Sequence, residues 1–379
     1  TTFAFAGGQQ EGAAADAGAA EESGVTRELP ADAVVAGQVN ANETLPDGTT
    51  GESPEVLTVS SSDEQELKDG DYTAAIVMHY LASSWSQQQV AGMKSVFDKY
   101  GVEVVSVTGA ESKPDVQMNN IESVLALNPD VICSIPVDQS AETPAYMQIS
   151  ESSSELVLID MVPNGLEHGK DYSSLVSSSN YGNGVSAADI MAASFIDMGI
   201  SNPKIITGQL NFEHYVTEEC LRGFEERVAE AYPWIEIVDS YDFPFNDQAM
   251  YEQANGALTR NPNIDGAFVI WMGPATHLVS AARENGRTGD DFVITTVDLE
   301  EDGAMEIAQE DGFIKGTGAQ DPFSMGQANA KAAVRAILGY DNPPFVAVPG
   351  YAISRENIVE GYKKILGEEP PAQLKEAAN

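Results

Sequence analysis

The sequence predicts an α/β protein that contains two doubly wound parallel sheets. One observation is a βαβ pattern at 71–107, in which an apolar run at 74–78 precedes a helical pattern and a second apolar run at 102–107. Another is that strand and helix patterns keep alternating along the rest of the chain. The third is the length of 379 residues, which is enough for about two domains.

The first sheet is predicted from apolar runs that are short enough to be strands buried on both faces. The helix after the first run ends at Gly101, because a glycine often terminates a helix. The remaining elements of this half are strands at 131–135, 156–160 and 174–179, helices near 115–127 and 141–152, and a long helix from 180 through 198.

The second half repeats the same alternation and therefore predicts a second α/β layer. Its expected strands are at 204–208, 235–240, 266–271, 292–298 and 313–320, with a last strand at 346–353. Its expected helices are at 217–231, 247–261, 275–285, after 298 through 310, and at 324–338.

The charge of the chain restricts its partners. It carries 59 acidic and 19 basic residues, a formal net charge of −40. Nucleic acids and anionic membrane surfaces are bound through clustered Lys and Arg, so both are disfavoured as partners. Such a charge is typical of a soluble protein that lives in salt or is exported.

The first 70 residues are predicted to lie outside the sheets. Residues 4–6 have the A-x-A form of a signal-peptidase site, so 1–6 are interpreted as the remnant of a signal peptide. The stretch that follows, to Gly70, is rich in small and acidic residues and has little apolar periodicity. It is predicted to be a disordered tether, and the pair of features indicates an exported protein that a tether could join to the membrane.

Motifs for catalysis, cofactors and metals are weak. Residues 182–187 fit G-x-G-x-x-A, but outside the first βαβ unit, and 298–303 resemble a calcium loop without its final Glu. The four histidines lack the spacing of metal ligands. We therefore expect no catalytic residues, no cofactor and no metal.

Polar and aromatic residues instead follow the predicted strands, where open α/β sheets bind ligands. Aromatic rings stack on the C–H faces of sugars, while carboxylates and amides pair with hydroxyls. Trp85 could instead be a core or surface aromatic, and Asp160 and Asp298 could cap the following segments. The strand-end candidates are Tyr80, Trp85, Asp138, Asp160, Phe245, Trp271, Asp298 and Gln320.

An ordered series of short motifs resembles the type I periplasmic binding proteins of the ribose- and galactose-binding family, over about 71–357. The motifs are an aromatic ahead of Q-x-x-x-G at 85–92, P-x-D at 136–138, L-I-D at 158–160, S-S-N at 178–180, R-G-F at 222–224, V-D at 297–298 and A-Q-D-P at 319–322. The resemblance implies two lobes that close on a ligand about a hinge of three crossing strands, near 178–180, 320–321 and 347–350. It divides the chain into a tether at 1–70, an N-terminal lobe at 71–178 plus 321–347, and a C-terminal lobe at 179–320 plus 348–379.

The resemblance also assigns roles. Trp85 and Phe245 would be the stacking aromatics of the two lobes, and Ser83 stands where an asparagine is usual. Asp160, Asp298 and Gln320 would bind hydroxyls. His214 is added as a candidate lining residue. An arginine of the family is replaced by Met161, so the site has lost a cation.

Two ligand classes follow, a neutral sugar or polyol, and a cationic solute held by aromatics and carboxylates. The family implies a monomeric, non-enzymatic periplasmic or extracytoplasmic protein that delivers its ligand to an ABC transporter permease. The alternatives are a sensor or chemotaxis component of the same fold, and an enzyme on this fold. A DNA-binding repressor is disfavoured because no basic headpiece precedes Asp71.

Overall fold

The computed structural model describes residues 27–39, 43–212 and 214–379. The predicted signal-peptide remnant and the first part of the predicted tether lie outside these residues. The strands are β1 (Gly37–Gln38), β2 (Thr73–Met78), β3 (Glu103–Gly109), β4 (Val131–Ser134), β5 (Glu155–Ile159), β6 (Ser174–Ser178), β7 (Lys204–Leu210), β8 (Glu236–Phe243), β9 (Gly266–Val269), β10 (Val293–Val297), β11 (Ile314–Ala319), β12 (Phe345–Val348) and β13 (Tyr351–Ser354).

Helices alternate with these strands, as the sequence predicts. They are α1 (Ser61–Asp69), α2 (Ser84–Tyr100), α3 (Pro114–Leu125), α4 (Thr143–Ser150), α5 (Asn180–Asp197), α6 (Tyr215–Ala231), α7 (Asp247–Arg260), α8 (Met272–Glu284), α9 (Glu301–Ala308), α10 (Pro322–Ile337), α11 (Ile358–Leu366) and α12 (Ala372–Ala377). Among the described residues, no helix is both long enough and apolar enough to cross a membrane.

The first sheet has the strand order β12-β6-β5-β4-β2-β3, and all its pairings are parallel. Its strands are apolar on both faces because helices cover both faces. Along β2, Ile76 packs with α2 and α10 on one side, whereas Val77 packs with α3 and α4 on the other. The predicted doubly wound layer is confirmed here.

The second sheet has the order β1-β13-β11-β10-β9-β7-β8. Strands β7 to β11 pair in parallel, while β13 pairs antiparallel with β11, and β1 antiparallel with β13. A single large core joins this sheet to α5, α6, α7, α8 and α9. The α/β fold class with two sheets is therefore confirmed, although the second sheet is mixed rather than purely parallel.

The chain passes between the sheets after β6, after β11 and after β12. The predicted strand at 346–353 is wrong as a single element, because it is two strands in different sheets. Pro349 lacks an N–H for a ladder bond, and a Cβ on Gly350 would lie 1.8 Å from Asn183 Oδ1. The exact lobe boundaries stay a prediction.

The N-terminal segment, residues 27–39 and 43–70, packs on both sheets, so the prediction that it is a disordered tether is wrong for these residues. Strand β1 pairs with β13, and the backbone of Glu52 pairs with Phe345 and Ala347 at the edge of the first sheet. Leu67 of α1 is fully buried. The sequence does not indicate this pairing, because a segment that pairs with a sheet edge uses its backbone groups and needs no apolar periodicity.

Helices α5 and α6 pack through backbone contact, since a Cβ on Gly184 would lie 1.9 Å from the carbonyl oxygen of Cys220. We expect Gly184→Ala to lower the free energy of unfolding by about 1–3 kcal/mol, because overpacking forces the helices apart. The matched control is Gly256→Ala within α7, where the nearest atom is 3.7 Å away. That substitution should raise stability by about 0.5–1 kcal/mol. Urea unfolding measures both, and equal effects would contradict the packing account.

Candidate ligand-binding site

Five side chains form a series of hydrogen bonds, here called the polar chain, where the two sheets meet. Trp85 Nε1 donates to Gln320 Oε1 at 2.7 Å, and Gln320 Nε2 donates to Asn180 Oδ1 at 3.0 Å. Asn180 Nδ2 then donates to Ser177 Oγ at 3.3 Å. Ser177 Oγ donates to Asp160 Oδ1 at 2.7 Å. The polar chain begins in α2, passes through the residue after β11 and the first residue of α5, and ends in β6 and at the residue after β5. It therefore joins the carboxyl edges of both sheets.

Three predicted site residues have a left-handed backbone. Asp160 follows β5 with φ +58°, and Asp298 follows β10 with φ +65°. Trp271, two residues after β9, has φ +46° and ψ 162°. Such conformations cost about 1–3 kcal/mol for residues other than glycine, and they concentrate at ligand sites, where surrounding contacts hold them. The backbone therefore holds these three residues at the carboxyl ends of strands of the two sheets at an energetic cost.

Two carboxyl groups are buried at this edge. Burial raises the pKa of Asp160 to about 6, although the hydrogen bond from Ser177 opposes the shift. Burial also raises the pKa of Asp298 to about 7, helped by the carboxylates of Glu300 and Asp160. Asp298 Oδ1 is buried and has no hydrogen-bond partner. Within the described residues, no Lys or Arg forms an ion pair with Asp160 or Asp298.

Two histidines face the same region from opposite sheets. Burial lowers the pKa of His79 to about 4, with His214 as a second cause. Burial also lowers the pKa of His214, while the carboxylate of Glu218 acts in the opposite direction. The Nδ1 atoms of both rings are buried without a hydrogen-bond partner. Burial therefore favours the uncharged form of both imidazoles.

Aromatic rings also lie near the carboxyl ends of the strands. Trp85 meets His79 edge to face at 5.8 Å between ring centroids. Phe245 stacks on Trp271 at 5.4 Å, and Trp271 meets the edge of Phe243 at 5.6 Å. The Phe245 side chain remains 76% exposed. An exposed ring that is held by a second ring presents an apolar face to a ligand.

Two predicted residues have local structural roles instead, and a third is only placed near the sheet edge. Ser83 caps α2, where its Oγ accepts from the N–H of Ser86. Asp138 is exposed, and its Oδ1 accepts from the N–H groups of Ser140 and Ala141 within its own turn. Tyr80 is half-buried directly after β2. Their contacts add no support for ligand binding, so their part in the site stays a prediction.

The candidate set missed His79, Ser177 and Asn180. His79 directly follows β2, and the rule that ligands bind beyond strand ends places it at the edge of the cleft, although it is not among the candidates. Ser177 and Asn180 flank the crossing after β6, and the S-S-N motif marked that crossing without assigning a role. Only the structure shows that these two link Gln320 to Asp160.

An open cavity of about 270 Å³ lies beside the site, at the ends of β7 and β8 and the first turn of α6. It is lined by Gln209, Leu210, Asn211, Phe212, Thr217, Glu218 and Asp242. None of these is a predicted site residue, and Asp242 already accepts a hydrogen bond from Gln209. In the described part of the chain, no group of three or more His, Cys, Asp or Glu side chains could hold a metal ion.

Comparison with known proteins identifies the fold. Residues 74–341 match the family model described as "Periplasmic binding protein domain". No curated protein matches the chain. The solved structures that resemble it include a carbohydrate transporter solute-binding protein from Agrobacterium radiobacter in complex with D-arabinose, with 22% identity and a TM-score of 0.64. That likeness covers 78% of this chain and 99% of the other.

Two further structures are similar. The arabinose-binding protein AraP from Geobacillus stearothermophilus is 20% identical with a TM-score of 0.66, covering 76% of this chain and 98% of its own. An ABC transporter solute-binding protein from Mycobacterium smegmatis with bound glycerol is 20% identical with a TM-score of 0.64, covering 79% of this chain and 99% of its own. At identities this low, the likeness shows a shared fold, and the bound molecules are those of the other proteins.

The raised pKa of Asp298 predicts how stability depends on pH. The folded protein keeps a proton on Asp298 up to about pH 7, whereas the unfolded chain releases it near the ordinary value of 3.8. Stability should therefore fall as pH rises from about 4 to about 7, by at most about 1.4 kcal/mol per pH unit for this one proton. Asp298→Asn should remove that part of the slope, as measured by urea unfolding across the pH range.

Asparagine suits this substitution because it tolerates a positive φ. Asp98→Asn is the control for the loss of one negative charge, since that residue is exposed near the C-terminal end of α2. A stability curve for Asp298→Asn that runs parallel to the wild-type curve would contradict the account.

Proposed function

Because the chain belongs to the periplasmic binding protein domain family, we propose that it is an extracytoplasmic protein that captures a neutral sugar or polyol and delivers it to an ABC importer. Three unpartnered atoms carry this proposal, namely Asp298 Oδ1, His79 Nδ1 and His214 Nδ1. A buried polar group without a partner costs about 1–3 kcal/mol. A hydroxyl can both donate and accept a hydrogen bond, so a polyol pairs with carboxylate, protonated carboxyl and neutral imidazole alike.

The aromatic surface supports the same ligand class. Trp85 lies on the side of the first sheet, and the stacked pair of Phe245 and Trp271 lies on the side of the second. A sugar or polyol presents C–H groups between its hydroxyls, and these pack on ring faces. Two buried carboxyls that have no cationic partner among the described residues disfavour an anionic ligand.

Two of the similar structures hold ligands of this kind, D-arabinose in one and glycerol in the other. Their shared fold supports a sugar or polyol as the first class to test. We propose that binding occurs without chemical change of the ligand, that the protein acts as a monomer, and that its partner is a transporter permease. A sensor or chemoreceptor is the alternative partner.

A cationic solute is the second candidate. The observation that favours it is the pair of buried carboxyls, Asp160 and Asp298, which have no ion-pair partner among the described residues. A bound cation would stabilise their ionised forms and could stack on Trp85 or Trp271. Its affinity should then rise with pH through about 6 to 7, as both carboxyls lose their protons.

Isothermal titration calorimetry with D-arabinose, glycerol and choline tests both candidates. We expect binding of D-arabinose or glycerol by the wild type. Asp298→Asn should weaken it about tenfold or more, because an acceptor that can carry charge becomes a neutral amide. Asp98→Asn should bind like the wild type, since Asp98 is exposed near the C-terminal end of α2, whereas Trp85 lies in the first turn of that helix.

Binding of choline alone, with affinity that rises between pH 5 and 8, would replace the sugar by a cation as the proposed ligand. Equal effects of Asp298→Asn and Asp98→Asn on affinity would remove Asp298 from the site.

A further inference from the structure

The N-terminal segment lies outside the part of the chain that matches the family, which begins at residue 74. Within residues 43–59 it contacts both sheets. Glu43 binds α5 and α6, which pack on the second sheet. The backbone of Glu52 pairs on both sides with β12 of the first sheet. Residues 43–52 therefore link the two halves, in addition to the crossings after β6, β11 and β12.

Glu43 is the buried end of this link, with only 2% of its surface exposed. Its Oε2 accepts from the backbone N–H of Tyr181 at 2.9 Å, and its Oε1 accepts from Tyr215 OH at 3.0 Å. Tyr181 lies in the first turn of α5 and Tyr215 begins α6. One carboxyl group thus bridges the starts of two helices.

Both helix starts adjoin the ligand site. Asn180, directly before Tyr181, is the central member of the polar chain. His214, directly before Tyr215, carries one of the unpartnered ring nitrogens. A displacement of either helix start would change the position of these two side chains.

The carboxyl group is held at a cost. Burial raises the pKa of Glu43 to about 7, with the nearby Glu219 acting in the same direction and Arg222 opposing it. Burying an ionisable group is unfavourable unless its contacts compensate, and a negative charge is favourable at the start of a helix. The two hydrogen bonds and the two helix starts supply that compensation.

We propose that Glu43 is a positioning residue of the ligand site, which fixes Asn180 and His214 by bridging α5 and α6 and links them through residues 43–52 to the first sheet. The inference rests on the proposed function only for its effect on affinity. Its effect on the position of His214 is independent of any ligand.

The test compares Glu43→Ala, Glu43→Gln and Glu52→Gln. The last is a matched control, since Glu52 is exposed in the same segment and pairs only through its backbone. The imidazole NMR signals of the ligand-free protein are recorded first, because the chain has only four histidines. Glu43→Ala should shift the His214 signal, assigned with His214→Gln, whereas Glu52→Gln should leave it in place.

Calorimetry with D-arabinose and glycerol follows. Glu43→Ala should weaken binding about tenfold, through misplacement of His214 and of Asn180 in the polar chain. Glu43→Gln should restore most of the affinity, since its amide oxygen can accept from the Tyr181 N–H and its amide nitrogen can donate to the Tyr215 oxygen. If Glu43→Ala does not fold, Tyr215→Phe removes only the hydroxyl that Glu43 binds and should still shift the His214 signal.

A wild-type His214 signal in Glu43→Ala, or in Tyr215→Phe, would overturn the inference. Wild-type affinity in a folded Glu43→Ala protein would overturn it as well and leave the proposed function intact. Conversely, a shifted His214 signal in a protein that binds neither D-arabinose nor glycerol would support the positioning role and count against the proposed ligand class.

Discussion

The requirement that buried polar groups be paired governs the region where the two sheets meet. The polar chain from Trp85 to Asp160 satisfies that requirement across the crossings, since each member donates to the next. Gln320 and Asn180 are almost completely buried, so a break in the series would leave a polar atom in a low-dielectric interior. Asp298, His79 and His214 each keep a buried atom without a hydrogen-bond partner in this region, and these are the atoms that we propose to pair with a ligand.

Much of the fold could be predicted because parallel strands covered on both faces are continuous apolar runs, as in β2 and β4. The N-terminal segment and the split of the last strand could not be predicted, since both depend on which backbone edge the chain meets in space. The site shows the same division. Asp160, Trp271 and Asp298 were found by the strand-end rule, but their positive φ values and the bonds of Asn180 depend on tertiary contacts.

The high negative charge of the chain contrasts with the surroundings of its buried carboxyls near the site, which disfavour the charged form. The net charge is −40, yet burial raises the pKa of three carboxyls near the site, to about 6 for Asp160 and to about 7 for Asp298 and Glu43. Glu43 is compensated by two helix starts, whereas Asp298 has an oxygen without a partner. Glu43 thus holds two helices in place, whereas Asp298 is the buried acid that we propose to bind a solute.

The central claim is that these unpaired groups bind a neutral polyhydroxylated solute. Native mass spectrometry of the freshly purified protein, followed by mass analysis of any molecule it releases on denaturation, tests this most directly. The account predicts a bound neutral molecule rich in hydroxyl groups, absent from Asp298→Asn prepared in the same way. Release of an amine or another cation would contradict it and would assign Asp160 and Asp298 to charge compensation instead.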